Sequence, residues 1–134
     1  VSKCINRLLS GGIEPTSLVV LSRRKLENSD LAEGLIDVSY PLTTTPGQGK
    51  AILYSTVGAF KGLESDAVVL VDIDDLTSPE ARASLYVGVT RARAVLSVFL
   101  SEKIRDDYDA VARRFGERLA QKTLPGSQSD LPQP

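Results

Sequence analysis

Three short runs constrain this chain more than any other feature: "SLVVLS" from Ser17, "AILYST" from Ala51 and "AVVLVDI" from Ala67. None alternates apolar with polar residues as a strand with one wet face does. Strands of this kind are buried on both sides, the situation of a parallel sheet covered by helices. Parallel strands also need crossover connections, so an α/β architecture follows. A fourth strand is expected at "VLSVFL", from Val95.

The covering helices are read from spacing. Cys4, Ile5, Leu8 and Leu9 recur at helical intervals, and Gly11-Gly12 closes that helix. Asp30 with Glu33 predicts a capped short helix through Leu35. Thr77, Ser78, Pro79 and Glu80 start a helix expected to run from Pro79 to about Arg91, with Ala81, Leu85 and Val89 on one stripe. Ile104, Tyr108, Val111, Phe115 and Leu119 predict a long amphipathic helix packed on the sheet. "YPLTTTPGQGK" reads as a loop. A chain of 134 residues has room for one core. Residues 1–124 are expected to form that domain and residues 125–134 a disordered tail.

Absences narrow the chemistry. The chain has no histidine, which removes His-based acid/base catalysis, His-containing triads and His-ligated metal sites. A single cysteine, Cys4, excludes an internal disulfide and is expected to be buried, as suits a reducing compartment. The net charge of -1 gives no global electrostatic attraction to nucleic acid, so any basic surface is local. No apolar run approaches the roughly 18 residues of a membrane span, so no membrane partner and a cytoplasmic location are expected. There is no methionine, and Val1 stands inside a helical pattern, so the chain is expected to be a segment of a longer polypeptide.

Two stretches carry functional chemistry, and a third only imitates it. "TPGQGKA" has the Gly-Lys of a phosphate-binding loop, but Thr44 stands where the earlier glycine belongs and Ala51 where Ser or Thr belongs. "TVGAFKGLESDAVVL" follows a strand that ends at Thr56, placing that hydroxyl at the carboxyl edge of a parallel sheet, where α/β proteins bind ligands. Its Lys61, Gly62 and Glu64 then present a cation, a backbone open to close approach and an anion together. Without other signals this is equally a solvated connection. "LYVGVTRAR" gathers Gly88, Thr90, Arg91 and Arg93 at a helix end. An arginine there either complements the helix dipole or forks onto phosphate oxygens.

In this order and spacing the two stretches resemble motifs V and VI of superfamily 1 DNA helicases of the UvrD/Rep type. "TVGAFKGLE" is similar to that family's Thr-x-His-x-x-Lys-Gly-Leu-Glu, and "LYVGVTRAR" to its Tyr-Val-Gly-x-Thr-Arg-Ala. The resemblance covers Ser55 to Leu100, and "SLVVLSRR" resembles the strand that opens the same region. It implies a RecA-like parallel sheet of about four or five strands flanked by helices in three α/β/α layers, the second of two such domains clamping ATP.

Residue by residue, the resemblance makes Arg91 the arginine finger that reaches the γ-phosphate. It places Glu64 near the ribose, with Gly62, Lys61 and Gly88 on the nucleotide side. Thr56 matches a contact to the single-stranded DNA backbone, joined by Gly58 and by Arg23 from its strand end. Gly58 departs from the family, which usually has histidine there, and the short stretch between Arg23 and Ser55 leaves no room for the large accessory domain of UvrD and Rep.

The implied function is the C-terminal motor subdomain of an ATP-dependent DNA helicase or translocase, inactive alone. Mg2+ would be held by the N-terminal motor domain of the same polypeptide, and single-stranded or partly duplex DNA would be the other partner. The alternative is a degenerate RecA-like module serving protein interaction or regulation.

Overall fold

The computed structural model describes residues 1–123, except for the side chains at 115, 119, 122 and 123. The expected disordered tail, and the Phe115 and Leu119 side chains of the last helical stripe, lie outside the described residues. The elements are α1 (Ser2–Ser10), β1 (Leu18–Ser22), β2 (Leu42–Thr43), β3 (Ile52–Thr56), β4 (Ser65–Ile73), α2 (Pro79–Val89), β5 (Ala92–Leu100) and α3 (Arg105–Thr123). The five strands form one sheet in the order β2-β3-β1-β4-β5. All four neighbouring pairs are parallel.

β1 sits in the middle and all five of its residues are buried. Its side chains alternate between two cores. Leu18 and Val20 join Ile5, Ile52, Tyr54, Ala67 and Val69 on the face that α1 covers. Val19 and Leu21 join Val57, Phe60, Val68 and Leu70 on the other, where Leu85 and Val87 of α2 pack. The result is the three-layer, RecA-like α/β fold expected from the sequence.

Gly88 fixes the distance between α2 and the sheet. A Cβ at Gly88 would lie 2.6 Å from Leu70 Cδ2, so the helix reaches β4 only because no side chain intervenes. At its other end α2 is capped by Ser78, whose Oγ accepts from the Ala81 amide at 3.1 Å. The turn before it is closed by Asp75, whose carboxyl is held well below the usual carboxylate range, first by the Thr77 amide and then by Ser78 and the Thr77 hydroxyl.

Four expectations need correction. Asp30–Leu35 is not a helix: the Asp30 amide and the Ser29 hydroxyl are both engaged by the carboxylate of Asp72, and Gly34 adopts φ +91, which breaks the turn. The loop "YPLTTTPGQGK" holds a short fifth strand, Leu42–Thr43, because β3 offers a free edge there. β5 starts at Ala92, so α2 ends at Val89 and Arg91 stands in the connection between them. The long helix α3 forms, but the described part of its apolar stripe does not lie on the sheet: Ile104, just before it, is buried, whereas Tyr108 and Val111 are 48% and 51% exposed.

One backbone feature was invisible to pattern reading. Asp72 lies within β4 at φ +59, beside a register shift between Leu70 and Ile73. Ala67, Val69 and Val71 face the α1 core, yet Ile73, the next in that alternation, packs with Leu100 and Ile104 in the other. The left-handed residue reverses the faces of the strand end and turns its own carboxylate toward Ser22 and Ser29.

The close approach at Gly88 gives a direct test. Gly88→Val should lower unfolding stability by roughly 1–3 kcal/mol through overpacking against Leu70, read from urea denaturation; an unchanged midpoint would contradict the packing described.

Candidate functional site

In a parallel sheet every strand leaves at the carboxyl edge and the next enters at the amino edge, so the chain from β3 to β4 crosses the sheet. Residues 57–64 do this without a helix, by successive turns in which the Phe60 amide donates to Thr56 O and the Leu63 amide to Phe60 O. Val57 and Phe60 anchor the crossing in the core, while Gly58, Lys61, Gly62, Leu63 and Glu64 are exposed. The expected site residues therefore fall into two groups at opposite edges of the sheet.

At the amino edge the loop meets the end of α2. The Ser65 amide donates to Arg91 O at 3.0 Å, tying the start of β4 to the residue before β5. The Arg91 side chain folds back over this junction. Its Nε donates to Val87 O at 3.2 Å, Nη1 to Leu63 O at 3.4 Å and Nη2 to Thr90 Oγ1 at 3.1 Å. All three acceptors are neutral, and among the described residues no carboxylate pairs with Arg91. Arg93, by contrast, pairs with Asp66 of β4 at 3.0 Å. Of the two arginines in "RAR", Arg93 is paired with a carboxylate and Arg91 is bonded only to neutral oxygens.

Glu64, next to Ser65 at this junction, is exposed, as is Lys61 earlier in the loop. Gly62 has φ +84 and a Cβ there would meet nothing within 4 Å, so its glycine serves backbone conformation and leaves open space above it. Gly88 is different: it is buried against Leu70 and has no open side. These features fit a phosphate-bearing ligand approaching from outside the chain. The donor set contains a guanidinium without a counter-charge, an open glycine backbone and one carboxylate suited to hydroxyl groups.

At the carboxyl edge the Val57 amide donates to Ser22 O at 2.8 Å, which brings Arg23 beside Gly58. Thr56 Oγ1 accepts from the Ala59 amide at 3.2 Å and so shapes the turn it opens. Gly58 needs no special φ, and a Cβ there would enter open space. Arg23 borders a small apolar recess with Asp74, Asp75 and Leu85. A groove of about 410 Å³ runs along Lys25, Leu26, Glu27, Thr44, Tyr54, Ser55, Thr56 and Ala59.

Sequence reasoning missed this groove and the polar network behind it. Asp72 accepts from the Ser22 and Ser29 hydroxyls, both at 2.6 Å, and Arg24 pairs with Asp74. The available signals were the basic run "SRRK" at a strand end and an aspartate inside the apolar run "AVVLVDI". Among the described residues no cluster of His, Cys, Asp and Glu is suited to a metal ion.

Residues 51–99 match the family model of the UvrD-like helicase C-terminal domain. That match supports a UvrD/Rep-type superfamily 1 helicase C-terminal domain, as the two motifs implied. No curated protein matches the chain. The matched segment runs from β3 through the UvrD-like motif V loop and α2 into β5, so it includes both edge groups apart from Arg23. No helix among the described residues is long and apolar enough to cross a membrane.

The two loop glycines should separate in a stability measurement. Gly62→Ala is expected to cost about 1–2 kcal/mol because of its positive φ, whereas Gly58→Ala should be neutral or stabilise by up to about 1 kcal/mol. Thermal denaturation of both variants checks this, and equal shifts would refute the assignment of their backbone roles.

Proposed function

We propose that this domain is the C-terminal motor subdomain of an ATP-dependent DNA helicase or translocase, with a nucleotide-facing amino edge and a DNA-facing carboxyl edge. The observation that carries the reading is the unneutralised guanidinium of Arg91, held at the junction of the two UvrD-like motifs. In this reading Arg91 is the arginine finger, reaching the γ-phosphate of ATP bound by the first motor domain, which also holds Mg2+. The bound nucleotide supplies the phosphoryl group whose transfer drives the motor.

Arg91 would act by electrostatics alone. Charge builds on the phosphoryl oxygens in the transition state, and a fixed guanidinium stabilises it without reorganising. Glu64 would accept hydrogen bonds from ribose hydroxyls, Gly62 and Lys61 would frame the approach, and Gly88 would hold α2 close enough to β4 to set the position of Arg91. Thr56, Gly58 and Arg23 would contact the single-stranded backbone at the other edge. With histidine absent at position 58, only the Gly58 backbone and its neighbours are available for that contact. A purely regulatory module would have no use for a half-buried arginine held at this junction without a carboxylate partner among the described residues, and this favours the motor.

Arg91→Ala in the full-length protein should lower DNA-stimulated ATP turnover about a thousandfold or more, the usual contribution of an arginine finger. Arg91→Lys should also be poor because the fork is lost. Turnover within a fewfold of the parent for the alanine variant would sink the proposal. The isolated 134-residue chain should show no magnesium-dependent ATP hydrolysis, and finding any would show that it is more than half of a site.

A further inference from the structure

The segment after β1 is pinned at more points than a surface turn requires. Ser22 Oγ accepts from the Arg24 amide at 3.0 Å while donating to Asp72. The Tyr54 hydroxyl donates to Arg24 O at 2.7 Å, and the Arg24 guanidinium pairs with Asp74. Farther along, the Ser29 hydroxyl donates to Asp72 Oδ2 at 2.6 Å and the Asp30 amide to Oδ1 at 3.1 Å. Lys25 stands between these pins, exposed, and lines the groove that Thr44, Ser55 and Thr56 border with hydroxyl groups. Among the described residues no carboxylate pairs with it, although Glu27 lines the same groove.

We infer that this groove binds the sugar–phosphate backbone of a single strand through Lys25 and the bordering hydroxyls, and that Asp72 is the positioning residue that holds Lys25 there. The inference rests on the reading of the carboxyl edge as DNA-facing and adds to it the cation, the counter-charge and the latch. Hydroxyls and one unpaired ammonium suit phosphate oxygens and carry no base code. Tyr54 borders the same groove, but its hydroxyl donates to Arg24 O, so it shapes the wall; the Ser55 hydroxyl donates to Thr56 O, which leaves Thr44 and Thr56 as the hydroxyls that face a strand with a proton to give. Asp72 acts at a distance, because its carboxylate joins β4 to both ends of the segment that carries Lys25. Its φ of +59 aims that carboxylate to the α1 side of the sheet, where Ser22 and Ser29 lie.

The test combines two readouts. In the full-length protein, binding of a fluorescent oligo-dT is measured against salt for Lys25→Ala, Lys25→Arg, Glu27→Gln, Asp72→Asn, Ser29→Ala and Thr56→Ala. Lys25→Ala should weaken binding several-fold and reduce the magnitude of the salt slope by about 0.7, the value for one phosphate on a single strand. Lys25→Arg should keep the slope, and Glu27→Gln should tighten binding. Asp72→Asn and the milder Ser29→Ala should speed amide exchange across residues 24–30 and reproduce the Lys25→Ala slope. Asp72→Asn combined with Lys25→Ala should be no weaker than the worse single variant.

Unchanged exchange at residues 24–30 in both latch variants overturns the role of Asp72. Faster exchange with an unaltered affinity and slope overturns the role of Lys25. If the parent protein binds no oligo-dT, or if Thr56→Ala and Lys25→Ala both leave binding untouched, the DNA-facing reading itself fails while the exchange data still judge the latch.

Discussion

The pairing of β1 on both of its edges is the constraint from which the rest of the domain follows. β1 lies between β3 and β4, in parallel register with each, and every one of its residues is buried. Both faces must then be covered and both edges bonded, since an unpaired amide or carbonyl there would have no water to turn to. A parallel arrangement also forces each connection to run from the carboxyl edge back to the amino edge. The UvrD-like motif V loop is one such connection, and this is why a single stretch can present Thr56 at one edge and Glu64 at the other. β4 separates them by on the order of 25 Å, at about 3.3 Å per residue.

Charge is partitioned in the same way at both edges. Each has a basic cluster in which an aspartate of β4, or just past it, claims one arginine: Asp66 takes Arg93 and Asp74 takes Arg24. Both pairs are partly exposed, and ion pairs of that kind contribute only about 0–1 kcal/mol. Their value here lies in orientation. Removing one cation from each cluster leaves Arg91 at the amino edge, and Arg23 and Lys25 at the carboxyl edge, without a carboxylate partner among the described residues, on a chain whose net charge is close to zero. Global charge therefore says little about what such a domain binds, and the pairing of individual side chains says more.

The fold, and the residues that meet at the amino-edge junction, were largely legible in the sequence. The strand core showed because burial on both faces writes itself as continuous apolar runs, and the two motifs showed because glycine, arginine and glutamate at fixed spacing are hard to place otherwise. What stayed hidden depends on long-range contacts. The failed Asp30–Leu35 helix carried good capping residues, but a carboxylate distant in sequence competed for its Ser29 and Asp30 donors and won. β2 is too short to show a period and exists because β3 has an edge to satisfy. The extent of α2 was misjudged at its end, because β5 pairing with Ser65 begins at Ala92 and takes Arg91 out of the helix. The stripe before and along α3 has helical spacing, yet spacing does not say what lies opposite, and Tyr108 and Val111 meet solvent.

Asp72 links these observations. An aspartate in the left-handed region costs about 1–2 kcal/mol relative to an ordinary strand residue, although aspartate tolerates it better than most side chains. The offset comes from three hydrogen bonds to one carboxylate and from the reversed strand end, which buries Ile73 with Leu100 and Ile104 instead of leaving it with the α1 core. β4 is thereby fastened at both ends: to Arg91 through the Ser65 amide, and to the segment carrying Lys25 through Asp72. Between those points Ala67 to Val71 are buried without a break. Close-packed strands of this kind shift as units and do not deform continuously. A displacement imposed at the amino edge would then carry the carboxyl edge with it, and the motor role proposed for this domain would require that rigidity.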